Sequence, residues 1–367
     1  MLSKYACKNE DAIYLKEIVS DIRTPFFRDI DKIIYTLGFI RYADKTQVFT
    51  FKNNDHIQRR LTHVIYVSKI ARTIGRALNL NEDLIEAASL GHDLGHTPFG
   101  HVGEEMLNEI SLKHNQGFFN HNIESVRLLM NIENYGNGVN LTLQTLDAIM
   151  CHNGEFVMGK YMPKKKTKEE FFKEYNETYT NKDKIKELRP MTLEGCVVRI
   201  SDLIAYLGRD IEDGMRMNLI TFSSIPKSIT DVLGNNNREI INTIVLDIIN
   251  NSKDKNYIKL SDEVYNAIKN LKDFNHKHIY KYAYNDEQRK YLKELLNTLY
   301  ETYLNDLINM NNESSIIKYY NSMSDLYKEN NKERIVIDYI AGMTDEYAIN
   351  EYNKITKSSH NKKEVRG

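Results

Sequence analysis

Apolar side chains recur along most of this chain at the three- and four-residue spacing of amphipathic helices. The spacing predicts helices over residues 28–40, 61–78, 84–90, 141–150, 193–213, 238–250, 261–275 and 286–309. Residues 45–51 alternate between apolar and polar positions as a short strand does, and we expect them to form half of a small hairpin. The pattern therefore predicts an all-α, mainly helical fold with at most a small β-hairpin near residues 42–51.

Two of these helices are preceded by residues that cap helix N-termini. Residues 53–55 (Asn-Asn-Asp) come before the helix over 61–78, with Gln58 three positions after the aspartate. Asn81 comes before the helix over 84–90, and acidic residues follow it in the first turn, where the helix dipole favours negative charge. That second helix leads directly into an adjacent His-Asp pair.

The chain carries no linker that would divide it into separate domains. Its 367 residues exceed the roughly 100–200 typical of one domain, so we expect one enlarged helical domain over residues 1–350. Within it, we expect a core at about 55–215 and a helical C-terminal part at about 220–350. Residues 351–367 are expected to be a flexible tail, and the lysine-rich stretch near 160–186 a solvated excursion.

Charge and cysteine content narrow the cellular setting. Fifty Lys and Arg against 51 Asp and Glu give a net charge of -1, so nucleic acid is not indicated as a partner. Three widely spaced cysteines (Cys7, Cys151 and Cys196) favour neither a disulfide framework nor a thiolate metal site. No apolar run approaches the roughly 18 residues of a membrane span, and residues 1–20 have no apolar leader. We therefore expect a cytoplasmic protein with no membrane association.

The densest chemistry lies in residues 91–101, where three histidines and an aspartate occupy eleven positions. The adjacent His92 and Asp93 can ligate one ion from a single turn, and His63 and Asp202 supply an imidazole and a carboxylate from two other predicted helices. Two imidazoles and two carboxylates suit one divalent metal ion such as Mn, Fe, Co, Ni or Mg, with zinc less favoured. The alternative is that each histidine is a satisfied core residue and each aspartate a capping or paired group.

A polar stripe runs along the predicted helix over 193–213. Asp202, Tyr206 and Asp210 follow one another at four-residue spacing, and Asp213 falls roughly 20° from Asp202, so the stripe can continue. Unpaired carboxylates are costly inside an apolar helix face. The stripe therefore needs partners, and a metal ion is one that would serve.

Five ordered motifs make the chain resemble the bacterial deoxyguanosinetriphosphate triphosphohydrolases of the HD-domain phosphohydrolase superfamily. The motifs lie at residues 45–49, 60–63, 91–101, 206–213 and 338–345. The resemblance spans roughly residues 20–350 and implies an HD-domain phosphohydrolase fold. It also implies hydrolysis of a deoxynucleoside triphosphate at the α-phosphorus, which yields the deoxynucleoside and inorganic triphosphate.

The resemblance assigns expected roles to individual residues. It implies metal ligands at His63, His92, Asp93 and Asp202, an acid/base group at His101, Glu104 and His121, phosphate contacts at Arg60 and His96, and sugar contacts at Tyr206 and Asp210. His101 and Glu104 are three residues apart on one helical face, so the carboxylate can orient the imidazole and tune its pKa. We expect Asp210 to accept a hydrogen bond from the 3′-hydroxyl and the Tyr206 ring to exclude a 2′-hydroxyl. The alternative is that Tyr206 is a core residue and Asp210 pairs with Arg209 or another neighbour.

Two features of the chain are not explained by the resemblance, and two other functional classes remain as alternatives. Glu124 places an extra acid near the site, and the segment after about residue 220 matches no motif that would reveal base preference. One competitor is another HD-type phosphohydrolase, which acts on a nucleoside monophosphate or a signalling nucleotide. The other is a non-catalytic nucleotide-binding regulator, against which the intact acid/base positions argue. Helix-rich relatives further imply a homo-oligomer and a nucleotide effector as partners.

Overall fold

The computed structural model describes residues 2–19, 21–50, 56–153 and 157–364. The helices of the first half are α1 (Pro25–Ile34), α2 (Leu37–Arg41), α3 (Arg60–Ala77), α4 (Glu82–Gly91), α5 (Gly100–Lys113), α6 (His121–Arg127), α7 (Glu133–Gly136), α8 (Leu143–Met150), α9 (Lys168–Glu177) and α10 (Lys184–Glu187). Those of the second half are α11 (Leu193–Arg216), α12 (Lys227–Leu233), α13 (Asn237–Ser252), α14 (Asp262–His278), α15 (Asp286–Asn309), α16 (Ser315–Ser322), α17 (Asp325–Lys328), α18 (Lys332–Ala341) and α19 (Asp345–Glu364). The prediction of a mainly helical fold is confirmed.

The sequence predicts at most a small hairpin near residues 42–51, and no strand forms over residues 42–50. Residues 45–50 contain only an isolated bridge from Thr46 to Arg59, because Lys45 and Thr46 are held by other parts of the chain. The described residues form one short antiparallel sheet elsewhere, in which β1 (Lys160–Tyr161) pairs with β2 (Ile258–Lys259). Position 51 and the predicted cap residues 53–55 lie outside the described residues.

Local capping explains several helix boundaries. The Asn81 side chain accepts hydrogen bonds from the backbone N–H groups of Asp83 and Leu84, as its position before α4 predicts. The helix expected over 28–40 is instead divided in two, because Thr36 caps α2 by accepting from the backbone N–H of Phe39. Elsewhere the apolar spacing locates helices well, and the one predicted over 286–309 matches α15 at both ends.

Two large apolar clusters make up most of the core of the described residues. The first lies where α3, α4, α8 and α11 pack together, and the second lies among α5, α15, α18 and α19. Helix α3 packs against both α4 and α11, which brings three segments that are distant in sequence to one place. The residues that carry the expected chemistry lie on these helices and in the turns that follow them.

Two peripheral segments differ from expectation. Most of the expected flexible tail belongs to α19, whose Ala348 and Tyr352 are buried one turn apart against the second cluster. Within the expected solvated excursion, Lys166 is buried, and its ammonium group lies 2.6 Å from Asp147 and 2.7 Å from Glu174. In the described part of the chain, no helix is both long and apolar enough to cross a bilayer.

Candidate active site

Three helices bring the four expected metal ligands together. His63 lies on α3 and Asp202 on α11, and their Nε2 and Oδ1 atoms are 2.9 Å apart. His92 and Asp93 follow the last residue of α4, and His92 Nε2 lies 3.6 Å from Asp202 Oδ1 and 3.4 Å from Asp93 Oδ1. All four side chains are buried. The packing of α3, α4 and α11 thus builds a compact set of two imidazoles and two carboxylates.

The donor atoms of this set suit a divalent cation. His92 Nδ1 donates to the backbone carbonyl of Ser89 at 2.7 Å, so Nε2 is the ring nitrogen that faces the set. That Nε2 atom has no hydrogen-bond partner among the described residues. Burial alone would lower the pKa of His92, but the neighbouring carboxylates of Asp93 and Asp202 raise it to about 9. Positive charge is therefore favoured at this position, as the chemistry of a cation site requires.

Arg60 joins this set to the rest of the cleft. Its Nη1 atom lies 2.7 Å from Asp93 Oδ2, and its Nε donates to the carbonyl of Thr46 at 3.3 Å. Its buried Nη2 atom has no hydrogen-bond partner within the described ranges. Arg60 therefore orients Asp93 and keeps one N–H-bearing nitrogen for another acceptor, such as a phosphate oxygen.

A second group of polar residues lies beside the first. His101 Nδ1 is 3.2 Å from Glu104 Oε2, and His121 Nδ1 is 2.9 Å from Glu104 Oε1. Burial raises the pKa of Glu104, but the charges and hydrogen bonds of His121 and His101 hold it well below its usual range. The ring of His96 stacks on that of His121, with centroids 3.9 Å apart. The ionised Glu104 can therefore orient two imidazoles, one of which, His101, is exposed in the cleft.

Both groups open into one cleft of about 620 Å³. Tyr206 and Asp210 of α11 line it further from the cation ligands, as the stripe predicts. Asp210 Oδ2 accepts a hydrogen bond from the Tyr280 hydroxyl at 2.6 Å, and burial raises the pKa of Asp210 to about 7. Arg209 pairs with Glu212 at 2.7 Å, so the neighbour that bonds Asp210 is Tyr280 and not Arg209.

The polar stripe of α11 does not continue to Asp213 in the cleft. Asp213 accepts from the backbone N–H of Gln58 at 3.2 Å and pairs with Arg216 at 2.8 Å. These contacts give that carboxylate a structural role. The part of the stripe that lines the cleft therefore runs from Asp202 to Asp210.

The motifs at residues 45–49 and 338–345 support the site through buried hydrogen bonds. Thr46 and the backbone N–H of Phe99 both donate to Asp345, and the buried Lys45 donates to the carbonyls of His96 and Ala341. Phe99 has a left-handed backbone at a φ of 68°, a conformation that costs energy in a residue other than glycine and is held here by Asp345. The motif at 338–345 thus fixes the turn that leads into the helix of His101.

Glu124 belongs to a buried ion-pair network. Its carboxylate contacts Arg334, whose Nε atom donates to Asp338 at 2.8 Å. Asp338 also accepts from Arg127, at 2.7 Å. The extra acid noted in the sequence is therefore neutralised by α18 and has structural partners.

Sequence reasoning missed several residues in and near the cleft. Among them are His152, Lys272, His276 and Tyr280. Lys272 lies on the helix predicted over 261–275 and His276 one position beyond it, so their four-residue spacing is a signal that could have found both. His152 follows α8 in a polar run that resembles an ordinary helix stop, and Tyr280 is recognisable only from its contact with Asp210.

Comparisons with known proteins agree with this geometry. Residues 60–207 match the HD domain family, and residues 258–354 match the phosphohydrolase-associated domain family. A deoxyguanosinetriphosphate triphosphohydrolase-like protein of Caldanaerobacter subterraneus subsp. tengcongensis is 38% identical, over 97% of this chain and 92% of its own length. Proteins with the same description from Clostridium perfringens and Rickettsia rickettsii are 38% and 32% identical, over 91% and 98% of this chain and 87% and 99% of their own lengths.

Proposed function

This chain belongs to the deoxyguanosinetriphosphate triphosphohydrolase family of HD-domain phosphohydrolases, and from that premise we propose that it hydrolyses deoxynucleoside triphosphates. Nucleotide phosphohydrolysis is the general activity that this membership supports. In the specific reaction, water oxygen forms a bond to the α-phosphorus and the bond from that phosphorus to the 5′-oxygen breaks. The 5′-oxygen gains a proton, so that the products are a deoxynucleoside and inorganic triphosphate.

One observation carries this proposal. Three of the cation ligands, the His101 imidazole and both residues of the Tyr206–Asp210 stripe line a single cleft. The His101 imidazole is the exposed member of the second group. A nucleotide whose α-phosphate lies at the cation ligands would therefore extend its sugar along α11.

His63, His92, Asp93 and Asp202 would hold the divalent cation. A cation bound there would act as a Lewis acid toward a phosphate oxygen. The unpaired Nη2 of Arg60 would donate to the same phosphate chain, and His96 lies beside it against Asp93. These residues bind and orient the triphosphate through charge and fixed N–H groups.

His101 would move the proton that the reaction requires. Its Nδ1 is engaged by Glu104, so Nε2 is the ring nitrogen that would exchange a proton with the substrate. The ionised Glu104 stabilises the protonated imidazole and is itself held by the backbone N–H of His121 at 2.7 Å. The pair is thus organised as an acid/base group before substrate arrives.

Product identity tests the proposal. Purified protein is incubated with Mn²⁺ and each of the four deoxynucleoside triphosphates in turn, and the products are separated by ion-exchange and reversed-phase chromatography. We expect deoxynucleoside and intact triphosphate in equal amounts. Release of orthophosphate or pyrophosphate would favour a different HD-type phosphohydrolase, and binding with no product would favour a regulator. The four rates also give the base preference.

The proposal also includes discrimination between deoxyribose and ribose nucleotides. Asp210 Oδ1 has no hydrogen-bond partner among the residues described, so it can accept from a 3′-hydroxyl while Oδ2 remains bonded to Tyr280. Loss of a hydrogen bond to a charged group costs roughly 1.5–3 kcal/mol, so Asp210→Ala should lower kcat/KM about ten- to a hundredfold. Tyr206→Ala should narrow the gap between deoxy and ribo substrates. Equal hydrolysis of dGTP and GTP by the wild type, or unchanged ratios in both variants, would contradict this assignment.

The homo-oligomer and the nucleotide effector remain predictions. Light scattering of the purified chain tests the first, and a strictly monomeric mass would contradict it. Rates for one deoxynucleoside triphosphate, measured with and without a second, test the effector.

A further inference from the structure

A small pocket outside the cleft contains a buried guanidinium group that is only partly bonded. Arg199 lies on α11 and is 2% exposed. Its Nη1 atom donates to the backbone carbonyl of Leu188 at 2.7 Å, while its Nε and Nη2 atoms have no hydrogen-bond partner among the described residues. Buried polar groups are nearly always hydrogen-bonded, and a buried charge is costly unless it is paired. Arg199 therefore needs an acceptor that the described residues do not supply.

The pocket brings positive charge to this guanidinium and no negative charge. The eight described residues that line it include two further cations, Lys160 and Arg189, and no acid. The carboxylates of the helices that pack here are engaged elsewhere. Asp147 of α8 is paired with Lys166 at 2.6 Å, and Glu194 of α11 accepts from two backbone N–H groups. An anion from outside the chain is therefore the partner that the charges favour.

The two unbonded nitrogens lie on the same edge of the guanidinium plane. The Nε–H bond and one N–H bond of Nη2 run parallel there, as in the bidentate pairing of arginine with two oxygens of a phosphate or carboxylate group. The bond from Nη1 to the Leu188 carbonyl fixes the plane. The ring of Tyr161 lies 6.0 Å from the guanidinium carbon of Arg199, within cation–π range. The edge is thus held in place for a bidentate acceptor.

The size of the pocket limits what that acceptor can be. Its volume is about 110 Å³, whereas the cleft has about 620 Å³. Pockets for small-molecule ligands typically have roughly 300–1,000 Å³, so this one has room for a single tetrahedral group and not for a nucleotide. Water, at about 30 Å³ per molecule, is the alternative occupant. Water would satisfy the two N–H groups but would leave the buried charge unpaired.

We propose that this pocket binds one oxyanion of the phosphate class, with two of its oxygens on Nε and Nη2 of Arg199. Arg189 and Lys160, whose ammonium group lies over the Tyr257 ring, are exposed and would attract the anion from solvent. The pocket shares no described lining residue with the cleft, so it is distinct from the phosphate contacts proposed there. The anion would join β1 to α11, one turn before Asp202. The inference does not depend on which nucleotide is hydrolysed.

Phosphate binding by the full-length protein tests the inference. The manganese-loaded, desalted wild type is titrated by calorimetry with sodium phosphate and, separately, with glycerol 3-phosphate at constant ionic strength. Arg199→Lys keeps the charge but cannot present two parallel N–H bonds, so it should weaken binding at this pocket by about tenfold or more. Arg199→Leu should abolish it. Arg216→Leu is the matched control, because Arg216 lies on the same helix and pairs with Asp213, and its binding should equal that of the wild type.

The two ligands distinguish the source of the anion. Binding of both at the Arg199 pocket would support the inference for a phosphoryl group on a larger molecule, and binding of phosphate alone would support it for the free ion. No binding of either ligand by the wild type would overturn it.

Asp202→Ala separates this pocket from the active site. That variant lacks a cation ligand, so phosphate that it still binds, and that Arg199→Lys binds more weakly, belongs to the Arg199 pocket. Phosphate binding that is lost in Asp202→Ala and unchanged in Arg199→Lys would overturn the inference and leave the proposed function intact. If neither Arg199 variant folds, crystals of the wild type grown with phosphate decide. Two phosphate oxygens on the guanidinium edge would support the inference, and water alone would refute it.

Discussion

Asp202 and Asp210 lie two turns apart on α11 and both are buried, yet they differ in charge. Burial would raise the pKa of Asp202, but hydrogen bonds and charges of His63 and His92 hold it well below its usual range. At Asp210 the Tyr280 hydroxyl lowers the pKa too little to offset burial, so the pKa rises to about 7. The comparison teaches that the partners supplied by other helices, and not burial alone, decide whether a carboxylate is ionised.

The difference separates two ends of one cleft. The cation end keeps its carboxylate ionised at every physiological pH, which is what a metal ligand needs. The sugar end has a carboxyl group that titrates near neutrality and so changes between a hydrogen-bond donor and an acceptor. Substitutions at each end test that division.

Asp202→Ala should remove one equivalent of bound cation and abolish turnover together, because a buried set loses much of its affinity with any one ligand. Metal analysis and chromatographic product assays on the same sample measure both effects. Asp213→Ala is the matched control, since Asp213 is buried on the same helix but pairs with Arg216. Full metal content in Asp202→Ala would contradict the assignment of the cation end.

His101→Ala should lower kcat by about 10²–10⁴-fold, the usual loss when acid/base assistance is removed. Bound cation should stay at the wild-type level, because His101 is not one of the four proposed cation ligands. Single-turnover kinetics with metal analysis measure the two quantities. His114→Ala, at the other end of the same helix, is the control, and normal turnover in His101→Ala would remove the catalytic assignment.

Asp210→Asn should make stability less dependent on pH. The pKa of Asp210 is about 7 in the folded protein and 3.8 in the unfolded chain. The stability that this carboxyl group contributes is therefore fully present below about pH 4 and is lost as the pH rises through about 7. The difference corresponds to at most about 4 kcal/mol. Denaturant unfolding of both proteins at pH 5 and pH 8 should show the asparagine variant gaining relative stability at the higher pH. A constant difference would contradict the raised pKa.

Tyr280→Phe should have the smallest effect. Removing the hydroxyl deletes the hydrogen bond that lowers the pKa of Asp210, so the pH midpoint of the stability difference should move upward. With one neutral hydrogen bond worth about 0.5–1.5 kcal/mol, kcat/KM should fall by at most about tenfold. Tyr300→Phe is the control, because that buried hydroxyl has no hydrogen-bond partner in the described part of the chain. An unchanged midpoint would mean that Tyr280 does not set the state of Asp210.

The contacts of the cleft also differ in whether they could be predicted from the sequence alone. Helical spacing placed Asp202, Tyr206 and Asp210 on one face, and adjacency placed His92 with Asp93, because these relations depend only on local geometry. Tyr280 contacts Asp210 across 70 residues, and only the packing of α14 against α11 brings them together. His152 was likewise hidden, since a histidine after a helix has no pattern of its own.

The helical fold was predictable for a similar reason. Apolar periodicity reports which face of a segment is buried, and it located α15 at both ends. It failed where polar side chains bind distant partners: Lys45 and Thr46 belong to no strand, and Lys166 is buried between carboxylates. The charge of a residue and the alternation of apolar and polar positions predict burial only on average. The burial of Lys45, Thr46 and Lys166 depends instead on contacts with particular residues elsewhere in the chain.

The separation of His63 from Asp202 has a consequence for how the protein is made. The two residues touch but are 139 positions apart in the chain. At roughly 5–20 residues per second of synthesis, the aspartate emerges about 7–28 seconds after the histidine. For most of that interval, once His92 and Asp93 have also emerged, the nascent chain carries three of the ligands without the fourth. Cation capture is therefore a late event in biogenesis, coupled to the arrival of α11 on helices that were translated long before it.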